Sequence, residues 1–177
     1  MRLAMVLSLS AVVLGVGVSA TKLAPAPFEG SWLRCDTNGG SRVCGFAQTT
    51  QRGKRVCGIT GSLASGRFYH TRFVGNADGN AMRIDKICGR PGSDTFTHCV
   101  DQAPRHLNRG EKVGWETSGD MFYVCKGRLH SRSGDEAFDC ATAVREAGKP
   151  KVRRLPKSDS PDEIERAWLA SCTAGRE

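Results

Sequence analysis

The segment Arg42-Val43-Cys44-Gly45-Phe46-Ala47-Gln48, followed by Gln51-Arg52-Gly53 and then by Arg55-Val56-Cys57-Gly58-Ile59-Thr60, decides how the rest of the chain reads. Two short runs of branched and aromatic residues flank a polar stretch that ends on glycine, which is the pattern of a hairpin and not of a helix. The same grammar continues on both sides: Ser31–Asp36, Arg67–Val74, Ala81–Cys88, Thr95–Val100, Lys112–Glu116 and Met121–Leu129 read as strands. Between them Asn38-Gly39-Gly40, Gly75-Asn76, Asp78-Gly79-Asn80 and Ser118-Gly119-Asp120 read as turns. Short strands at this spacing predict antiparallel meanders that close into a barrel or sandwich over residues 31–130.

The hairpin contains a small repeat. Arg42-Val43-Cys44-Gly45 returns as Arg55-Val56-Cys57-Gly58, more loosely as Lys86-Ile87-Cys88-Gly89, and faintly as Tyr123-Val124-Cys125-Lys126. The intervals are too unequal for a solenoid. The repeat reads as a local strand device, with glycine allowing close backbone approach beside a bridge; an internal duplication is the alternative.

Beyond residue 130 the pattern changes to helical. Ser133-Gly134-Asp135-Glu136 has the form of a capping box, and Gly148 with Pro150 ends the helix that follows, giving a first helix over 133–148. Ser160-Pro161-Asp162-Glu163 starts a second, over 160–173, on which Ile164, Ala167, Trp168 and Cys172 form one apolar stripe. The basic, polar stretch 149–159 joins them. The fold class expected is therefore α+β: a mainly antiparallel β barrel or sandwich with two C-terminal α-helices, stabilised by disulfides.

The amino terminus sets the compartment. Arg2 precedes an apolar run from Leu3 to Val18 that closes on Val18-Ser19-Ala20, the arrangement of a secretory signal peptide cleaved after Ala20. The run is short of the roughly 20 residues of a membrane span, so no transmembrane anchor is expected. Residues 21–30 form a Pro-containing lead to a single domain over 31–177. Cys35, Cys44, Cys57, Cys88, Cys99, Cys125, Cys140 and Cys172 all follow the leader, and an even set outside the cytosol predicts four disulfides. Their connectivity is open, apart from the expectation that Cys140 and Cys172 join each other, or that either joins Cys125, to pin the helices to the sheet. No Cys-x-x-Cys, His-x-His or His-x-x-x-His spacing calls for a metal, and no nucleotide-binding glycine loop calls for a cofactor.

Charge is the remaining clue. The chain carries a formal +8, and no acidic residue lies between Asp36 and Asp78, whereas Arg42, Arg52, Lys54, Arg55, Arg67 and Arg72 do. A second basic block covers Lys149, Lys151, Arg153, Arg154 and Lys157. Such blocks attract acidic proteins or polyanionic surfaces, with nucleic acid a less favoured partner. The first expectation is thus a secreted binding protein that meets an acidic partner through the arginines and lysines of 42–72, with Trp32 or Trp115 as interface anchors. The alternative is a ribonuclease-like or other phosphodiester or glycan hydrolase using histidine as acid and base. In that reading His70 is the first candidate, because basic and aromatic residues interleave around it in Arg67-Phe68-Tyr69-His70-Thr71-Arg72-Phe73. His98, His106 and His130 stand in separate segments.

Overall fold

Alternation of apolar side chains with a period of two builds the strands, and glycine-bearing turns reverse them. The computed structural model describes residues 26–38, 41–64, 67–93, 95–133, 138–146 and 163–175. The signal segment 1–20, the basic stretch 149–159, Gly39-Gly40, Glu136, Gly148, Pro150 and Ser160-Pro161-Asp162 lie outside those residues. Strands β1 (Gly30–Asn38), β2 (Ser41–Arg52), β3 (Arg55–Ala64), β4 (Arg67–Asp78) and β5 (Ala81–Gly89) form an antiparallel meander. Short strands β6 (Thr97–His98), β7 (Lys112–Val113) and β8 (Glu116–Thr117) follow, and then the hairpin β9 (Met121–Cys125) and β10 (Arg128–Arg132). β9 pairs with β5, and the Trp32 indole N–H donates to the Gly127 carbonyl at 2.9 Å, so the sheet curls into a nearly closed barrel.

Two layers of apolar packing result. Phe28, Val56, Phe73, Met82, Ile84, Phe122 and Val124 fill the barrel interior, with Trp32 and Leu129 packed against them. Phe73 and Phe122 meet edge to face with ring centroids 5.3 Å apart. The outer face of the meander presents Phe46, Cys57, Ile59 and Val74 to Trp168, Leu169 and Cys172 of helix α2 (Glu163–Thr173). On β5 the inward set is Met82, Ile84 and then Ile87. The break in alternation is a bulge: Val74 faces Lys86 while Gly75 faces Ile84, leaving Asp85 as the extra residue. Its side chain accepts from the Asn76 amide at 2.5 Å.

All eight cysteines are paired: Cys35–Cys44, Cys57–Cys172, Cys88–Cys99 and Cys125–Cys140. The expected staple of the helices is present in two parts, since Cys125 holds helix α1 (Cys140–Glu146) and Cys57 holds α2, with no bridge between Cys140 and Cys172.

Several local expectations are corrected. Gly75-Asn76 is strand and not turn, because a Cβ on Gly75 would lie 2.4 Å from the Arg83 carbonyl oxygen across the bulge. Met121–Leu129 is a hairpin and not one strand; Lys126 and Gly127 both take positive φ (50° and 74°), and a lysine in that conformation carries no turn signal. Lys112–Glu116 divides into β7 and β8, and Thr95–Val100 contracts to β6. Ser133 does not cap α1. Asp139 does, accepting from the Ala141 and Thr142 backbone N–H groups at 3.1 and 2.9 Å, while Phe138 stacks on Tyr123 at 4.0 Å and fixes the helix start there. On α2 the buried stripe is rotated: Ile164 and Ala167 are exposed, and Glu165, Trp168, Leu169 and Cys172 are buried.

Candidate functional site

Alternation along β4 points His70, Arg72 and Val74 outward, to the face that α2 covers. Two covalent ties bring the complementary groups to them. The Cys57–Cys172 bridge, assisted by the Arg55 side chain donating to the Cys172 carbonyl at 2.9 Å, holds the last turn of α2 on β3 and so places Glu165 two helical turns earlier over β4. The Cys88–Cys99 bridge holds the start of a 3₁₀ turn, Val100–Gln102, which delivers Asp101 and Gln102.

Glu165 is the hub. Its Oε1 accepts from His70 Nε2 at 2.9 Å and from Gln102 Nε2 at 2.6 Å, and lies 3.4 Å from an Arg90 guanidinium nitrogen. Its Oε2 accepts from Arg72 Nε at 2.7 Å. The other edge of the Arg72 guanidinium donates two parallel bonds to the Asp101 carboxylate, at 2.7 and 2.9 Å, the bidentate geometry that suits arginine. The Arg72 plane also lies 4.9 Å from the Trp168 ring centroid, and Trp168 packs on Trp115. Burial opposes ionisation of Glu165, but the donors His70, Arg72 and Gln102 overrule it and hold the carboxyl at about 2. An ionised carboxylate only accepts, so His70 presents its Nε2–H to it.

The centre of the cluster is buried, while Asp101 at its edge stays exposed. Glu165, Arg72 and His70 retain 0%, 2% and 4% of their accessible surface. His70, expected as the first acid–base candidate, is therefore a buried donor to a structural carboxylate. Arg72, expected on an exposed basic face, is buried because Glu165 and Asp101 together satisfy its fork. Arg55 is half-buried against α2, whereas Arg52 and Lys54 stand exposed at the β2–β3 turn. Arg42 and Arg67 sit on β2 and β4 at positions whose side chains are outside the described residues.

The other histidines are not gathered around His70. His98 is buried with Nε2 3.4 Å from Glu111. His130 lies beside Phe138, and burial together with the charges of Arg128 and Arg34 lowers its pKa. His106 is exposed. Trp32 and Trp115, expected as interface anchors, are half-buried and pack against the inner and outer apolar layers respectively. Among the described residues no group of three or more His, Cys, Asp or Glu side chains is arranged to hold a metal ion, and no helix is long and apolar enough to cross a membrane.

Glu165, Asp101, Gln102 and Arg90 escaped the sequence reading. A signal for Glu165 did exist: Glu165, Trp168, Leu169 and Cys172 follow the i, i+3, i+4, i+7 rule more closely than the stripe through Ile164. No protein-family model, curated protein or solved structure matches the chain. The fold and its four bridges define a small disulfide-stabilised protein of the extracellular or periplasmic type.

Proposed function

We propose that the chain is a secreted binding protein that engages an acidic partner, a protein or a polyanionic surface, through its outer surface. The observation that carries this reading is the closure of His70 into the Glu165 cluster, which leaves the first acid–base candidate without access to a substrate. Among the described residues the barrel interior is filled by aromatic and branched side chains. What faces solvent includes cations: Arg52 and Lys54 at one hairpin turn, Arg83 on β5, and Lys126 at the β9–β10 turn. A rigid, cross-linked body with fixed surface charge loses little conformational entropy on association, as a binding protein requires. The hydrolase alternative needs an open acid and base within reach of one point, and this geometry gives it no support.

Chromatography of the oxidised chain on immobilised heparin tests the reading. Retention should fall steeply with salt, and the double variant R52E/K54E should elute earlier while keeping its thermal midpoint. Retention no stronger than that of a neutral protein of similar size would refute it. So would cleavage of RNA or polysaccharide that His70→Ala abolishes in a folded protein.

A further inference from the structure

Five large apolar side chains are exposed among the described residues, and four of them, Phe96, Val100, Leu107 and Val113, fall within residues 96–113. Phe96 and Val100 each retain 71% of their surface, far more than a side chain packed on its own fold. This segment is nevertheless well tied. The Cys88–Cys99 bridge anchors it to β5, the Lys112 and Gly114 N–H groups donate to the Phe96 and His98 carbonyls at 2.9 Å each, and Glu111 closes a turn by accepting from Asn108 at 2.7 Å. Exposure here is a built feature of an ordered surface.

Its charge is one-sided. Arg105, Arg109 and Lys112 are exposed, while the two carboxylates of the segment are engaged, Asp101 by Arg72 and Glu111 by Asn108 and His98. The backbone adds a third element. β7 ends the sheet path beyond β6, and because Lys112 and Gly114 donate towards β6, the N–H of Val113 between them points to the opposite edge, where no described strand pairs. An open edge donor beside apolar and cationic side chains is the equipment for receiving an extended chain.

We infer that the free edge of β7, carrying Lys112 and Val113 and flanked in the chain by Phe96 before β6 and Val100 after it, is a docking surface for an extended segment of a partner protein in which carboxylates alternate with apolar side chains. The inference rests on the binding reading above and names its surface. A second copy of this chain is a poor occupant, because a symmetric contact would set Arg109 and Lys112 against themselves. Lipid is a poor occupant too, since acyl chains leave the Val113 N–H unsatisfied.

The test is selection of random peptides of about ten residues on the oxidised chain, with the F96S/K112E variant as counter-target. Enriched peptides should alternate acidic and apolar residues. A synthetic copy should bind the unmodified chain and lose about tenfold in affinity to F96S/V100S and to K112E. Val113→Pro, which removes only the outward donor and keeps the β6 side, should lose affinity severalfold. All variants are first required to keep the unmodified thermal midpoint; should Val113→Pro not fold, the exposed-side-chain variants decide alone. No enrichment, equal binding to the variants, or binding to phosphatidylglycerol vesicles in place of peptides would overturn the inference. Such a failure with heparin retention intact removes this surface only; loss of heparin retention removes the binding reading itself, whatever the peptide selection returns.

Discussion

Glu165→Gln gives the sharpest test of the cluster. A carboxyl held at about 2 in the folded protein, against its ordinary 4.5, stabilises the fold at neutral pH by about 3 kcal/mol. The folded pKa lies below the unfolded one, so this contribution is complete above roughly pH 4.5 and disappears as pH falls towards about 2. An independent route gives the same size: removing one partner of a buried ion pair costs about 3–5 kcal/mol, because Arg72 would keep only Asp101. Urea unfolding with the disulfides intact, followed by the fluorescence of Trp168 and Trp115, should show E165Q less stable by about 3 kcal/mol near pH 7. The gap should close towards about pH 2.5, where the native carboxyl is itself taking up its proton. Other carboxylates titrate in both proteins and cancel. A penalty of equal size at both pH values, or one below about 1 kcal/mol near neutrality, would refute the reasoning.

Two further perturbations bear on the frame. Removing the Cys57–Cys172 bridge by C57A/C172A should cost about 5 kcal/mol against about 3 for C35A/C44A, because their sequence separations are 115 and 9; the two urea midpoints, each measured with the other bridges closed, give the comparison. Gly58→Ala should lose about 2 kcal/mol, since the new methyl would lie 2.2 Å from the Phe73 ring and 2.7 Å from Thr49, whereas Gly45→Ala, which meets only the Gly61 carbonyl at 4.0 Å, should leave the midpoint unchanged.

The parts of the fold legible in the sequence are those set by local signals. β2, β3 and β5 were expected from alternation and glycine, with ends displaced by a few residues; the turn expected at Gln51-Arg52-Gly53 narrows to Gly53-Lys54 because Gln51 and Arg52 stay paired with Val56 and Arg55, and the one expected at Asp78-Gly79-Asn80 narrows to Gly79-Asn80. Two of the misreadings share a cause, which is that a distant partner outweighed the local preference. Asp85 shifts the phase of β5 because it enters a bulge opposite β4, and nothing near it in sequence announces that. Glu165 displaces Ile164 from the buried stripe because His70, Arg72 and Gln102, all more than sixty residues away, satisfy its charge. The same contact removed both His70 and Arg72 from the candidate surface. Charge counting recorded a basic stretch, but the acids that neutralise part of it arrive from a loop and a helix whose positions disulfides determine.

That dependence gives the Val/Ile-Cys repeat a physical meaning. Each of the four bridges uses one cysteine from a copy of the repeat: Cys44 on β2, Cys57 on β3, Cys88 on β5 and Cys125 on β9. The residue before the cysteine turns inward, as Val56 and Val124 in the interior and Ile87 packed on it show, so the cysteine itself must turn outward. One strand position thus anchors the core and presents a thiol to whatever lies outside the barrel. The partners differ in kind: neighbouring strand β1, helix α2, the loop leading to Asp101, and helix α1. A duplicated unit would have carried its partner with it, at a constant separation. Here the separations run 9, 115, 11 and 15 residues, so the common element is the strand geometry, solved separately in each place. Two of those solutions, at Cys57 and Cys88, hold the helix and the loop that bring Glu165 and Asp101 to Arg72, so closing these two bridges favours the buried ionic cluster, consistent with a compartment in which thiols pair.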